Sequence, residues 1–296
     1  MPAQENSLKP YYEVVAGSII YGTIGIFLNK IQDMSAGSIL FFRLFFGFCI
    51  IFIYLLFNQR LAQLKPKNKK IYLLFLGLLN TITGTCYFLS IRYSGVSVAV
   101  LLLYTAPVYV NLFAPSILGE RRNSNGLLPL LLAISGVLLI ARPENVLANT
   151  GPDFQKGIAF GLLSGLSFSA TIITIRYLSD DYTGIAQTFW LTGISLIFLL
   201  PSALSTPTTA FTKNFNILFL FSLTITFAAV IYLRGIASIS AQTGSILALV
   251  EPVSGIFFDI AVLKNPLYVS TFLGCIFILV AAYIISKRDE MKSEIK

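Results

Sequence analysis

Apolar runs long enough to cross a bilayer fill most of this 296-residue chain and constrain its fold more than any motif in it. Ten of them lie at roughly 12–30, 36–57, 71–91, 96–118, 126–141, 157–176, 184–204, 215–237, 241–263 and 268–286. A membrane-spanning helix needs about 20 consecutive apolar residues, so ten spans take about 200 and leave under about 100 for loops and termini. No soluble catalytic domain fits in that remainder. Composition agrees: 56% of the residues are hydrophobic and 11% charged, where soluble proteins carry about a quarter charged. The fifth run is short, but charged or polar residues bracket it on both sides. The chain reads as an all-α integral membrane protein with ten transmembrane helices.

Lysine and arginine set the orientation, because short loops rich in them stay on the cytoplasmic side. With the N-terminus inside, the cytoplasmic loops and tails hold 14 of the 21, running from Lys9 through Lys65–Lys70 to Lys296. The opposite side holds six: Lys30, Arg92, Arg142, Lys156, Lys213 and Lys264; Arg43 lies within a span. Both termini are expected in the cytoplasm of a cell that carries the protein in its plasma or inner membrane. The first run is read as a mature span and not as a cleaved leader. The net charge of +8 reflects these basic loops and not a nucleic-acid partner.

Absences narrow the function. The chain has no histidine, which removes His-based metal sites and general bases, and Cys49, Cys86 and Cys275 all lie inside apolar runs. Neither a phosphate-binding Gly-x4-Gly-Lys-Ser/Thr loop nor a Gly-x-Ser-x-Gly nucleophile motif occurs. No catalytic residue, metal or cofactor is expected.

The longest break, at 142–156, divides the ten spans five and five, and the halves correspond at a shift of 145 residues. Tyr87 falls on Tyr232, Ile91 on Ile236, Pro107-Val108 on Pro252-Val253 and Phe113 on Phe258. An odd number of spans per half turns the second upside down relative to the first, and inverted repeats are a transporter signature. The expected division is 1–145, a linker at 146–156, and 157–296.

The stretch Leu101-Leu-Leu-Tyr-Thr-Ala-Pro-Val-Tyr-Val, running on to Leu118-Gly-Glu120-Arg121, resembles the first repeat of the EamA-type drug/metabolite transporters. Ser245-Ile-Leu-Ala-Leu-Val-Glu251-Pro252-Val resembles its second-repeat counterpart, and Arg43 matches the arginine of the family's second span. The resemblance implies a ten-helix carrier working by alternating access on a small-molecule substrate, with a central cavity between the repeats. It also implies fifth and tenth helices at the periphery. The chain departs from the pattern after the ninth span, where Lys264-Asn265-Pro266 replaces Gly-Glu.

The paired prolines mark the first site candidates. Proline frees the carbonyl four residues earlier, Leu103 for Pro107 and Ala248 for Pro252. Such an interruption is tolerated in hydrocarbon only where protein or a water-filled cavity satisfies it. Glu251 lies ten residues into the ninth span, about 15 Å along it, on a small and partly polar face with Gly244, Ala248, Ser254, Gly255 and Phe258. An acid at that depth is costly and points to function. It serves either as a proton carrier or cation contact, or as a hydrogen-bonded acid that fixes the kink at Pro252. Arg43 is left with three readings: an ion pair with Asp259, a contact to a carboxylate substrate, or snorkelling to the interface. Trp190 is its counterpart in the second half, at a shift of 147, and reads as a belt residue or a gate. Tyr21, Tyr87, Tyr104, Tyr109 and Tyr232 are phenols inside spans that need hydrogen-bond partners. Tyr104 is favoured because it lies one turn before Pro107. The stripe Gly157, Gly161, Gly165 reads as close helix packing.

The expected function is secondary transport of an amino acid, amine, nucleoside or drug-like solute, with proton coupling as one option and the protein a monomer or homodimer. A channel or receptor-like protein is the alternative, then a membrane-embedded enzyme, for which the required clusters are not visible. The orientation has a direct check. A cysteine at Asn68 should react with an impermeant thiol reagent only in permeabilised cells, and labelling in intact cells would reverse the topology.

Overall fold

The computed structural model describes residues 8–120, 126–142, 153–264 and 266–294, with side chains as far as Lys287. Most of the expected linker at 146–156 (its residues up to 152), Arg121, Arg122 and Asn265 lie outside the described residues. In the first half α1 (Lys9–Tyr21) and α2 (Ile24–Lys30) form the first span, followed by α3 (Ala36–Phe57) and α4 (Lys70–Ser94). The fourth span is α5 (Val96–Leu103) with α6 (Ala106–Leu118), and the fifth is α7 (Leu127–Ala141). The second half runs α8 (Phe154–Leu178), α9 (Gly184–Leu204), α10 (Thr208–Ser238), then α11 (Ala241–Leu247) with α12 (Val250–Leu263), and α13 (Val269–Glu294). Among the described residues nine spans are long and apolar enough to cross a bilayer, and the tenth, α7, has 15 residues.

The two halves interleave. α4 lies along α8, α1 along α10, α3 along α9 and α7 along α13. Exchanging the halves maps the third–sixth contact onto the eighth–first, and maps the second–seventh and fifth–tenth contacts onto themselves. That pairing is what a two-fold relation between inverted repeats produces.

Three spans are broken: at Gly22-Thr23 in the first, Tyr104-Thr105 in the fourth and Ala248-Leu249 in the ninth. The backbone is not left unpaired there. Tighter i→i−3 bonds take over, from Thr23 N–H to the Ile20 carbonyl (3.0 Å), Thr105 N–H to Leu102 (3.3 Å) and Leu249 N–H to Ile246 (3.1 Å). The Thr23 and Thr105 hydroxyls donate to the same Ile20 and Leu102 carbonyls at 2.6 Å. The expectation that Pro252 frees the Ala248 carbonyl is corrected by this geometry: Glu251 N–H donates to it at 3.0 Å.

Close backbone approach holds the broken spans in place. A Cβ on Gly22 would run into Ser254 Oγ and stand 2.6 Å from the Gly255 nitrogen, so the break in the first span sits directly on the ninth. A Cβ on Gly165 would strike the Leu102 carbonyl and come 2.8 Å from Thr105 Oγ1. The glycine stripe of the sixth span is thus the seat of the fourth-span break, with Gly157 and Gly161 facing Ser94 and Ser90.

Side-chain contacts between loops sort by end, as alternating spans require. At the basic end Glu13 pairs with Arg234 (2.6 Å), Glu120 with Arg176 (3.3 Å) and Lys69 with Asp181 (3.1 Å). At the opposite end Lys213 pairs with Asp33 (2.9 Å), and Asn214 donates to the Gln32 carbonyl (2.8 Å). These last contacts explain why α10 begins at Thr208, seven residues before the apolar run. Its polar first turns stand beyond the apolar stretch and bind the loop after the first span.

Gly165→Ala should therefore destabilise the fold by about 1–3 kcal/mol through overpacking against backbone. Gly25→Ala, where nothing lies within 4 Å of the added carbon, should be neutral or stabilise by up to about 1 kcal/mol. Thermal unfolding in detergent compares the two, and equal effects would contradict the packing described.

Candidate substrate site

Six side chains from six spans meet beside the breaks: Tyr21, Arg43, Tyr87, Tyr104, Tyr232 and Glu251. Glu251 is their hub, within electrostatic reach of each of the other five. It stands in the first turn of α12, immediately after the ninth-span break, so the break decides where the carboxyl points. The first turn of a helix also favours a negative side chain. Tyr104 occupies the corresponding break in the fourth span and offers its hydroxyl to the Glu251 carboxyl.

Arg43 supplies the opposite charge. Its guanidinium stands 5.9 Å from the centre of the Phe221 ring, within cation–π range, and Phe221 in turn stacks on Phe27 at 5.0 Å. A buried ion needs compensating groups nearby, and Tyr21 and Glu251 lie within electrostatic reach of Arg43. The Tyr21 ring meets the Tyr232 ring edge-on at 5.8 Å. Tyr104 and Tyr232 are 7% and 5% exposed, while Tyr21, Arg43, Tyr87 and Glu251 keep partial accessibility.

Two hydroxyls beside this group, Ser18 Oγ and Tyr232 Oη, are buried and have no hydrogen-bond partner among the described residues. Each such group costs about 1–3 kcal/mol if nothing ever pairs with it. Ser254, on the same side, donates to the Ser18 carbonyl (3.3 Å) and the Glu251 carbonyl (2.8 Å), which ties the first span to the first turn of α12.

The other residues singled out from the sequence fall in different places. Pro107, Gly244 and Ala248 are buried in helix packing, with Gly244 against Ile236; Leu103, Pro252 and Gly255 are half-buried, and Gly255 faces Gly22. The expected Arg43–Asp259 pair is corrected. Arg43 turns to Tyr21 and Glu251, whereas Asp259 lines a separate pocket of about 480 Å³ with Arg142, Tyr268 and Thr271. Trp190 sits at the basic end, where its indole donates to the Leu64 carbonyl at 3.1 Å. Its distance from the hub follows from the inversion: Arg43 and Trp190 are repeat counterparts and lie towards opposite ends.

Reading the sequence missed Ser18 and Phe221, which look like ordinary members of apolar runs. It named Glu120 only as part of a motif. In the structure the Glu120 carboxylate accepts from Ala241 N–H at 3.1 Å, at the start of the ninth span, and pairs with Arg176 at the end of the sixth. Arg176 also donates to the Ala237 carbonyl. Gly119, left-handed at φ 66°, makes the turn that puts the carboxylate there.

The profile of the EamA-like transporter family matches residues 9–142 and again residues 155–287. An uncharacterised transporter of Archaeoglobus fulgidus is 29% identical over 242 residues, covering 81% of this chain and 82% of that protein. The pseudopaline exporter of Pseudomonas aeruginosa is 27% identical over 168 residues, 57% of this chain and 56% of its own. Human solute carrier family 35 member G1 is 22% identical over 180 residues, 58% of this chain and 49% of its own. A crystal structure 13% identical in sequence superposes with a TM-score of 0.77, covering 93% of this chain and 96% of that one, and so shares the fold.

The unpaired phenol gives a test free of any ligand. Tyr232→Phe removes a buried hydroxyl with no partner and should leave stability unchanged or raise it by about 1 kcal/mol, read as a melting temperature in detergent. A drop of several degrees would show that the hydroxyl is structurally committed.

Proposed function

The chain belongs to the EamA-like transporter family, and we propose that it carries a small organic solute across the membrane by alternating access at the Glu251 site. It is a multi-pass membrane transporter and not an enzyme. The observation that carries the finer reading is the hub: one carboxyl and one guanidinium, ringed by phenols drawn from both halves, at the point where three broken spans meet. Such a site recognises a solute with hydrogen-bonding groups and a charge or strong dipole. Amino acids, amines, nucleosides and amphipathic drugs all belong to that class.

Glu251 is the group suited to exchange a proton during the cycle, since it is the carboxyl of the hub and stands in the first turn of α12, immediately after a break. At the basic end Glu13–Arg234 and Glu120, which pairs with Arg176 and accepts from Ala241 N–H, tie the halves together. We place the basic end and both termini in the cytoplasm and the boundary between repeats at 146–156. A plasma or inner membrane suits this topology. The protein acts as a monomer or homodimer.

Counterflow separates a carrier from a channel, because only a carrier exchanges a labelled solute against an unlabelled gradient. Glu251→Gln keeps the shape of the side chain and removes its titration. It should abolish accumulation driven by a pH gradient while leaving downhill exchange intact. Accumulation unchanged in this variant would reduce Glu251 to a residue that fixes the kink at Pro252.

A further inference from the structure

The loop between the second and third spans carries Arg60, Lys65, Lys67, Lys69 and Lys70 within eleven residues. In many membrane proteins such a loop only reports orientation. Here it is held rigidly against the other half. The Trp190 indole binds the Leu64 carbonyl (3.1 Å), the Tyr182 hydroxyl accepts from Lys67 N–H (2.7 Å), and the Thr183 hydroxyl donates to Gln63 (3.3 Å). Lys69 adopts a left-handed backbone at φ 62°, uncommon for a residue with a side chain. Its ammonium is anchored by Asp181 (3.1 Å), the Tyr177 carbonyl (3.1 Å) and the Tyr177 ring (4.3 Å to its centre).

This anchoring uses up Lys69. Among the described residues Arg60, Lys65, Lys67 and Lys70 form no ion pair, and all four are exposed. The acids nearby are Asp181, paired with Lys69, and Asp180, exposed beside it. Three cations, Lys67, Lys69 and Lys70, therefore line an open concavity of about 720 Å³ together with Pro66, Asn68 and Asp181, and Arg60 and Lys65 stand in the same loop. Beside it, at the ends of the second and third spans, Phe57 is 82% exposed and Tyr54 and Tyr72 also present apolar surface. Aromatic residues exposed at a span's end sit at headgroup level.

We propose that the Lys65–Lys70 loop is a preformed site for the phosphodiester headgroup of an acidic phospholipid in the adjoining leaflet. The lysines and Asn68 receive the phosphate, and the chains lie along Phe57 and Tyr72. A polybasic segment next to a span attracts anionic lipid, each cation contributing additively and weakening with salt. The pinned turn adds pre-organisation, because the cations are already gathered before the lipid arrives. This site is independent of the Glu251 hub and of what the carrier moves.

The test uses the full-length protein in detergent, with phosphatidylglycerol, phosphatidylcholine or inorganic phosphate added, followed by native mass spectrometry and thermal unfolding. The wild type should retain phosphatidylglycerol over phosphatidylcholine and gain melting temperature with it at low salt. At about fivefold per lysine, the triple variant Lys65→Gln/Lys67→Gln/Lys70→Gln should lose that preference by on the order of a hundredfold. The variant keeps Lys69 and hence the turn. Lys30→Gln/Lys264→Gln, which removes charge from the opposite end, should bind as the wild type does. An unchanged preference in the triple variant, or an equal loss in the opposite-end variant, would overturn the proposal. Equal stabilisation by inorganic phosphate would overturn it too, assigning the loop to a soluble anion.

Discussion

Every backbone N–H and C=O inside a bilayer must find its partner within the protein, since hydrocarbon offers none. The whole structure follows from this constraint. It forces the ten apolar runs into helices and permits an interruption only where other protein surrounds it. The interruptions at 22–23 and 104–105 are accordingly seated against the ninth and sixth spans, and the one at 248–249 is buried. Gly22 presses on Ser254 and Gly255, and Gly165 makes room for the Leu102 carbonyl. At each, a shorter i→i−3 bond takes over where the helix is interrupted, so the chain bends and keeps backbone pairing there. The bends then aim Tyr104 and Glu251 into one space.

Charge is distributed with similar economy, and unequally between the repeats. Glu251 in the second half corresponds to Ala106 in the first, so the hub has one carboxyl where perfect symmetry would bring two like charges together. Arg43 supplies its counter-charge from the second span, whose own counterpart offers Trp190 at the far end. At the loops the inequality runs the other way. Gly119-Glu120 bridges Arg176 and the start of the ninth span, and the matching turn after the ninth span has Lys264-Asn265 instead. The basic end is tied by carboxylates that the opposite end lacks at that turn.

Much of this was legible from residues alone, for a physical reason. A polar side chain is conspicuous in an apolar run, so Glu251, Arg43 and the phenols Tyr21, Tyr87, Tyr104 and Tyr232 could be singled out before their neighbours were known. The spans and the correspondence of the two halves were legible on the same grounds. What could not be read was rotation about each helix axis. Arg43 and Asp259 lie at similar depths along their spans, which suggested a pair, yet they face different spaces. Ser18 and Phe221 matter through their neighbours and carry no local signal. The first-span break was hidden because Gly22-Thr23 is unremarkable within an apolar run. Likewise α10 starts early because its polar first turns bind Gln32 and Asp33, a contact outside any local pattern.

The most direct measurement is a thermal-shift screen of the purified protein against amino acids, amines, nucleosides and cationic drugs, with each hit repeated in Glu251→Gln and Tyr104→Phe. A solute that stabilises the wild type and loses its effect in both variants is the predicted result, because both side chains border the same space. Hits that persist in both variants would contradict the account and place the solute away from the three breaks.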